Sequence, residues 1–168
     1  MKYTPREKET IEKVKRYLKS IRLLNQEKFS LELEIEDAPA PQSIKYSEET
    51  QKGYAKPKDE QITSAMVRRD LIAKRLELFN KELDHFMPIL YLLNAGQRTM
   101  ISIYVKSSCY TDMMHKLNDH YITESAYTRK MPETCLALAQ YLDLDNIPTL
   151  EKLNTKFNNY VKSINNAN

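Results

Sequence analysis

The sequence predicts an all-α protein: a long helical hairpin joined to a small helix-turn-helix bundle, with an extra C-terminal helix. Three observations carry that expectation. Apolar residues recur at spacings of three and four through two long segments. Two glycines occur in 168 residues, too few for chains of tight hairpins or for a Gly-rich phosphate loop. The long stretch without helical period, residues 37–60, holds Pro39, Pro41, Gly53 and Pro57, which prevent a continuous helix.

Residues 1–36 read as a basic N-terminal helix. Thr4 is placed to cap it and Pro5 to fill its first turn. Val14, Leu18, Ile21, Leu24, Leu31 and Ile35 form its apolar stripe. Asn25 and Lys28 interrupt that stripe, so the middle is expected to pack poorly. Residues 37–60 follow as a polar connector. Residues 61–93 carry a heptad seam, in which Ile72, Leu76, Phe79, Leu83, Phe86, Leu90 and Leu93 alternate spacings of four and three. Two occupants fit that seam: the first helix of the same chain, or a second copy in a homodimer. Pro88 marks a restart after Met87.

Residues 94–145 read as short helices. Asn94-Ala95-Gly96 looks like a helix stop. A compact helix follows, with Met100, Ile101 and Tyr104 on its apolar side. The next has Thr111 as its expected cap and Met113, Met114 and Leu117 inward. A polar turn, Asn118 to Ile122, leads to Thr123, a cap for the stretch "ESAYTRKM". Pro132 is expected to end that helix near Met131 and to open a new segment; one kinked helix is the alternative. Ala137, Leu138, Tyr141 and Leu142 give its apolar face. Residues 146–168 form a C-terminal amphipathic helix with Leu150, Leu153, Phe157, Tyr160, Val161 and Ile164 on one side, ending in a frayed tail.

Composition removes several function classes. Mean hydropathy is −0.64, and no apolar run approaches the roughly 20 residues needed to span a bilayer. The N-terminus lacks the apolar block of a secretory signal, so a cytoplasmic protein without membrane contact is expected. Cys109 and Cys135 stand apart and read as small core hydrophobes. His85, His115 and His120 fall in no metal-ligand or catalytic spacing, so neither metal, cofactor nor enzymatic activity is expected. The net charge of +3 is unevenly spread. Residues 1–30 carry nine Lys and Arg against four Asp and Glu, and residues 31–61 carry four against eight. The basic end could meet phosphates, although a solvated helix face gives the same composition.

One constellation has a mechanism. A helix-turn-helix needs a supporting helix, a short first helix and a second helix that enters the major groove. Residues 97–105, 110–117 and 123–131 supply them in order. Ala126 is small enough to let the helices approach. Thr123, Ser125, Tyr127, Thr128, Arg129 and Lys130 are then the candidate DNA-binding residues. Arg129 suits guanine edges or phosphate, Lys130 phosphate, and Ser125 and Thr128 can donate or accept. Tyr127 is expected to pack partly inward. A plain three-helix bundle would show the same periodicity, and residues 94–142 carry five cations against four anions, which weakens the electrostatic case.

Leu92-Leu93, Arg98, Met100-Ile101, Tyr104, Met113-Met114 and Leu117 are followed by Tyr121 to Tyr127, then Arg129-Lys130 and Cys135 to Ala139. In this order the segment Val67–Leu144 resembles the ArpU-like phage transcriptional regulators, relatives of the RinA-type activators and of sigma-factor region 4. The resemblance implies a phage or prophage protein that binds promoter double-stranded DNA, with host RNA polymerase as a further contact. The turn is longer than the minimal sigma-type turn, Pro132 interrupts the recognition helix, and the tail after Asp145 has no counterpart in the pattern. The competing expectation is a phage-encoded helical module that grips a host or phage protein without binding DNA.

Overall fold

Thr4 opens the first helix with a reciprocal cap. Its hydroxyl accepts from the Glu7 amide at 3.2 Å, and the Glu7 carboxylate accepts from the Thr4 amide at 2.7 Å. The computed structural model describes residues 2–37 and 58–167, without the side chains of 58–62. Those residues are helical almost throughout and contain no strand. Helix α1 spans Pro5–Asp37, α2 Lys58–Phe86, α3 Ala95–Lys106, α4 Tyr110–Asp119, α5 Glu124–Ala139 and α6 Leu150–Ala167, with a 3₁₀ segment at Met87–Leu92. The polar connector falls outside the described residues, apart from its helical ends.

Helix α1 is shared by the hairpin and the bundle. It packs against α2, α3 and α5. Val14, Leu18, Ile21 and Leu24 are fully buried, in one cluster with Phe79 and Phe86 of α2, Ile101 and Val105 of α3, and Cys135 and Leu138 of α5. Side chains of this size stabilise by about 1.5–3 kcal/mol each when removed from water, so the cluster supplies the main driving force. The hairpin therefore shares its main core with α3 and α5 of the helix-turn-helix region.

The heptad seam is filled from within the chain. Ile72, Phe79, Leu83, Phe86, Leu90 and Leu93 are buried in the same cluster as α1, with Leu76 at its edge. Tyr17 of α1 meets Phe86 at a ring-centroid distance of 6.0 Å. These positions are spent on α1 and are not open to a second copy.

The interruption of the α1 stripe is a polar clamp rather than a packing fault. Asn25 Nδ2 donates to the Val105 carbonyl at 3.0 Å, Arg22 Nε to that of Ser107 at 2.8 Å, and Gln26 Nε2 to that of Ser108 at 2.8 Å. The last carbonyls of a helix lack intrahelical partners and carry partial negative charge, which a guanidinium complements. The Arg22 guanidinium also lies 5.2 Å from the Tyr104 ring centroid.

Other junctions correct the sequence reading. Asn94 starts a helix instead of stopping one: its side chain accepts from the Gln97 amide at 2.9 Å in a capping box that opens α3. The stop before it is held by Arg98, which donates to the carbonyls of Leu90 and Leu93 at 3.2 Å each. Cys109, not Thr111, caps α4, its sulfur accepting from the Asp112 amide at 3.5 Å. The sequence signal favoured the hydroxyl, but the chain enters its helical turn two residues earlier. The tail is docked. Arg75 of α2 donates to Glu27 of α1 at 3.2 Å and to Asn154 of α6 at 2.9 Å, Leu153 is buried, and Ser20 donates to the Pro148 carbonyl.

Pro132 lies inside α5, which runs unbroken from Glu124 to Ala139. The division into a reader ending near Met131 and a separate anchor is thus overturned. Tertiary packing decides the outcome: Met131, Thr134, Cys135 and Leu138 are all buried beyond or beside the proline, and their burial outweighs one missing hydrogen bond. A proline in a helix interior costs about 3 kcal/mol, while its half-buried ring returns part of that through contact. Pro132→Ala is expected to stabilise the protein by about 1–2 kcal/mol, read as a higher urea midpoint at unchanged slope. A lower midpoint would show that the ring's packing dominates.

Candidate nucleic-acid interface

The turn between α4 and α5 is built by the backbone. The Ile122 amide donates to the Leu117 carbonyl at 2.9 Å and the Tyr121 amide to that of Asn118 at 2.9 Å. This is the double hydrogen bond of a Schellman motif, which satisfies carbonyls left free at a helix end. Such a motif needs a left-handed residue, and Tyr121 takes it with φ 57°. Ile122 then packs with Leu117, as the motif's apolar contact requires. Together with Ile103 and Met113 they form a second small core under the turn. Tyr104 and Tyr127 pack against both cores and join them.

The Thr123 hydroxyl accepts from the Ala126 amide at 3.2 Å and so caps α5 as expected. The first turn of α5 is less open to an anion than the cap suggests. Glu124 stands there, its carboxylate accepting a short hydrogen bond from the Tyr110 hydroxyl. That bond, more than any other influence, pushes the Tyr110 phenol up from its ordinary range. Glu124 complements the helix dipole and would repel a phosphate at the same spot.

Five of the six candidates are exposed: Thr123, Ser125, Thr128, Arg129 and Lys130. Ser125, Thr128 and Arg129 follow helical spacing and share the outer face of α5. Lys130 lies one step round the helix, in a groove against the start of α3 with Gln97, Met100, Tyr121 and Glu133. Arg129 and Lys130 make no ion pair among the described residues. Tyr127 is turned inward and half-buried, so it positions α5 more than it presents itself to a ligand.

On the other side of α5, α1 brings cations that sequence spacing alone could not place. Lys15, Arg16 and Lys19 line a cleft of about 410 Å³ together with Thr128 and Pro132 of α5. Its floor is apolar, from Leu18, Tyr104, Tyr127 and Met131, and Glu12 is its one acid. Lys15 is paired with Glu12 at 2.9 Å; Arg16 and Lys19 make no ion pair among the described residues. The composition marked residues 1–30 as basic. Which turn of α1 lies beside α5 depends on the tertiary packing of both.

Compared with protein-family models, curated proteins and solved structures, the chain finds no match.

Among the described residues no group of His, Cys, Asp and Glu could hold a metal ion, and no helix is long and apolar enough to cross a membrane. The cysteines differ from one another. Cys135 is buried, which pushes its thiol up to about 11. Cys109 is exposed, and the Asp112 amide bond holds its thiol below the ordinary range. The expectation of two core cysteines therefore holds for Cys135 alone. A thiol reagent should modify Cys109 in the native protein and Cys135 only after unfolding; modification of both at equal rates would contradict the burial.

Burial also pushes the Tyr127 phenol upward, with Tyr104 and Cys135 adding to the shift. The fold favours the neutral phenol, so its contribution is complete below the ordinary phenol pKa of about 10 and is lost as pH rises through the raised value. Tyr127→Phe should therefore lose less stability than the wild type between about pH 10 and 12. Parallel losses in urea titrations at several pH values would show that Tyr127 is not the group responsible.

Proposed function

We propose that this chain is a phage or prophage transcriptional regulator that binds promoter DNA through α4, the turn and α5. The observation that carries the reading is a juxtaposition. Thr128, which shares the exposed stripe of α5 with Ser125 and Arg129, lines one cleft with Lys15, Arg16 and Lys19 of α1. An unpaired arginine can read guanine through two parallel hydrogen bonds. Flanking lysines and arginines neutralise phosphates and release counterions, which gives affinity without sequence information. This division answers the weak charge of the bundle itself, because the cations come from α1. The resemblance to ArpU-like regulators supports the same reading. It also supplies the setting, the cytoplasm of a bacterial host, and host RNA polymerase as a second contact. Any homodimer on paired half-sites would need a surface other than the heptad seam.

Fluorescence anisotropy on promoter-bearing phage fragments tests this. Binding should weaken steeply between about 50 and 200 mM salt. Arg129→Ala should cost about 1–3 kcal/mol on the cognate site and relax preference at one base pair. Arg16→Ala or Lys130→Ala should weaken all duplexes alike and reduce the salt slope by about one unit. A wild-type protein without salt-sensitive binding to any fragment ends the proposal.

The second reading, a protein-binding module, draws on the apolar floor of the α1–α5 cleft. A partner recovered from host lysate that persists after nuclease treatment, together with no DNA binding in vitro, would favour it.

A further inference from the structure

Tyr121 occupies a backbone conformation that suits glycine. Its φ is 57° and it is 97% exposed. The left-handed region costs a residue with a Cβ about 1–2 kcal/mol relative to the right-handed one. The turn uses only the Tyr121 amide, which donates to Asn118, and a glycine would supply the same bond. The side chain returns nothing to the fold: its hydroxyl makes no hydrogen bond among the described residues and its ring lies in water. An aromatic ring is thus held out at a strained position directly before the helix assigned to DNA reading. Strain of this kind concentrates where a side chain has work outside the fold.

The surroundings indicate what that work is. Tyr121 shares a groove with Lys130 and Gln97, over a floor of Met100, Ile122 and Ala126. The Lys130 ammonium has no ion pair among the described residues. Glu133 lines the groove one turn beyond Lys130, and Glu124 in the first turn of α5 is engaged by the Tyr110 hydroxyl. A ring and a hydroxyl donor held in solvent beside a groove with a free cation match a sugar–phosphate backbone. The ring can cover a deoxyribose, the hydroxyl can donate to a phosphate oxygen, and Lys130 can neutralise the neighbouring phosphate.

We propose that Tyr121 is a DNA-backbone contact, which with Lys130 holds one strand on the α3 side of α5 while Lys15, Arg16 and Lys19 hold the other side. The proposal rests on the DNA-binding reading above and assigns to the turn a positioning task that carries no base preference.

Tyr121→Gly separates folding from binding, because the two should move in opposite directions. It should melt a few degrees higher than the wild type. It should bind promoter and unrelated duplexes about five- to tenfold more weakly, with their ratio unchanged. Tyr121→Phe should fall between the two, keeping the ring and losing the phosphate bond. Tyr121→Asn, which also tolerates the left-handed region, repeats the binding test if the glycine variant folds poorly. Wild-type affinity in Tyr121→Gly or Tyr121→Asn, beside a clear loss in Arg129→Ala, overturns the inference and leaves the DNA-binding reading standing. A loss confined to the promoter duplex also overturns it, since the contact would then be to a base. Absence of DNA binding by the wild-type protein removes both.

Discussion

The rest of the structure depends on one constraint: α1 must bury two sides at once. One side packs on the heptad face of α2, and an adjoining side packs on α3 and α5. A helix that serves two neighbours in this way needs a wide apolar surface, and Ile11, Val14, Tyr17, Leu18, Ile21 and Leu24 provide it within four turns. The polar residues between them also face a partner. Arg22, Asn25 and Gln26 end on the last carbonyls of α3 and its exit loop, so the clamp fixes where α3 stops and where α4 can begin.

That arrangement determines what α5 can present. Its inner face is committed to α1 and α3 through Tyr127, Met131, Cys135 and Leu138. Its outer face is left with Ser125, Thr128 and Arg129, of which Thr128 lies beside a basic turn of α1. The backbones of α5 and of the basic turn of α1 are therefore tied together through the shared core. Pro132 fits the same logic. The proline breaks one rung of α5, yet burial on both sides of it keeps the helix continuous.

Much of this was legible in the sequence, for identifiable reasons. The all-α class, the two long helices and the Thr123 cap follow from local periodicity and capping chemistry, which need no knowledge of neighbours. Asn94 was read as a stop and Thr111 as a cap because residue type alone does not fix where a helix begins; that depends on where the preceding segment is tied down by Arg98 or by α1. Asn25 looked like a flaw because its partner, the Val105 carbonyl, lies eighty residues away. At the site, the outward residues of α5 could be read from helical spacing. Lys15, Arg16 and Lys19 could be named as basic but not placed beside Thr128. Tyr121 carried no signal beyond its location in a turn, since its left-handed backbone arises from the Leu117 and Asn118 carbonyls closing over it.

The central claim is that α1 makes the hairpin and the helix-turn-helix region a single cooperative unit. Native-state hydrogen exchange tests it most directly. Amides of Phe79 and Leu83 in α2 and of Cys135 and Leu138 in α5 should share one opening free energy, equal to that of global unfolding, and should fall together in low denaturant. Residues of α5 that exchange through a separate opening of lower free energy, while α2 stays protected, would contradict the claim and return the helix-turn-helix to an independent unit.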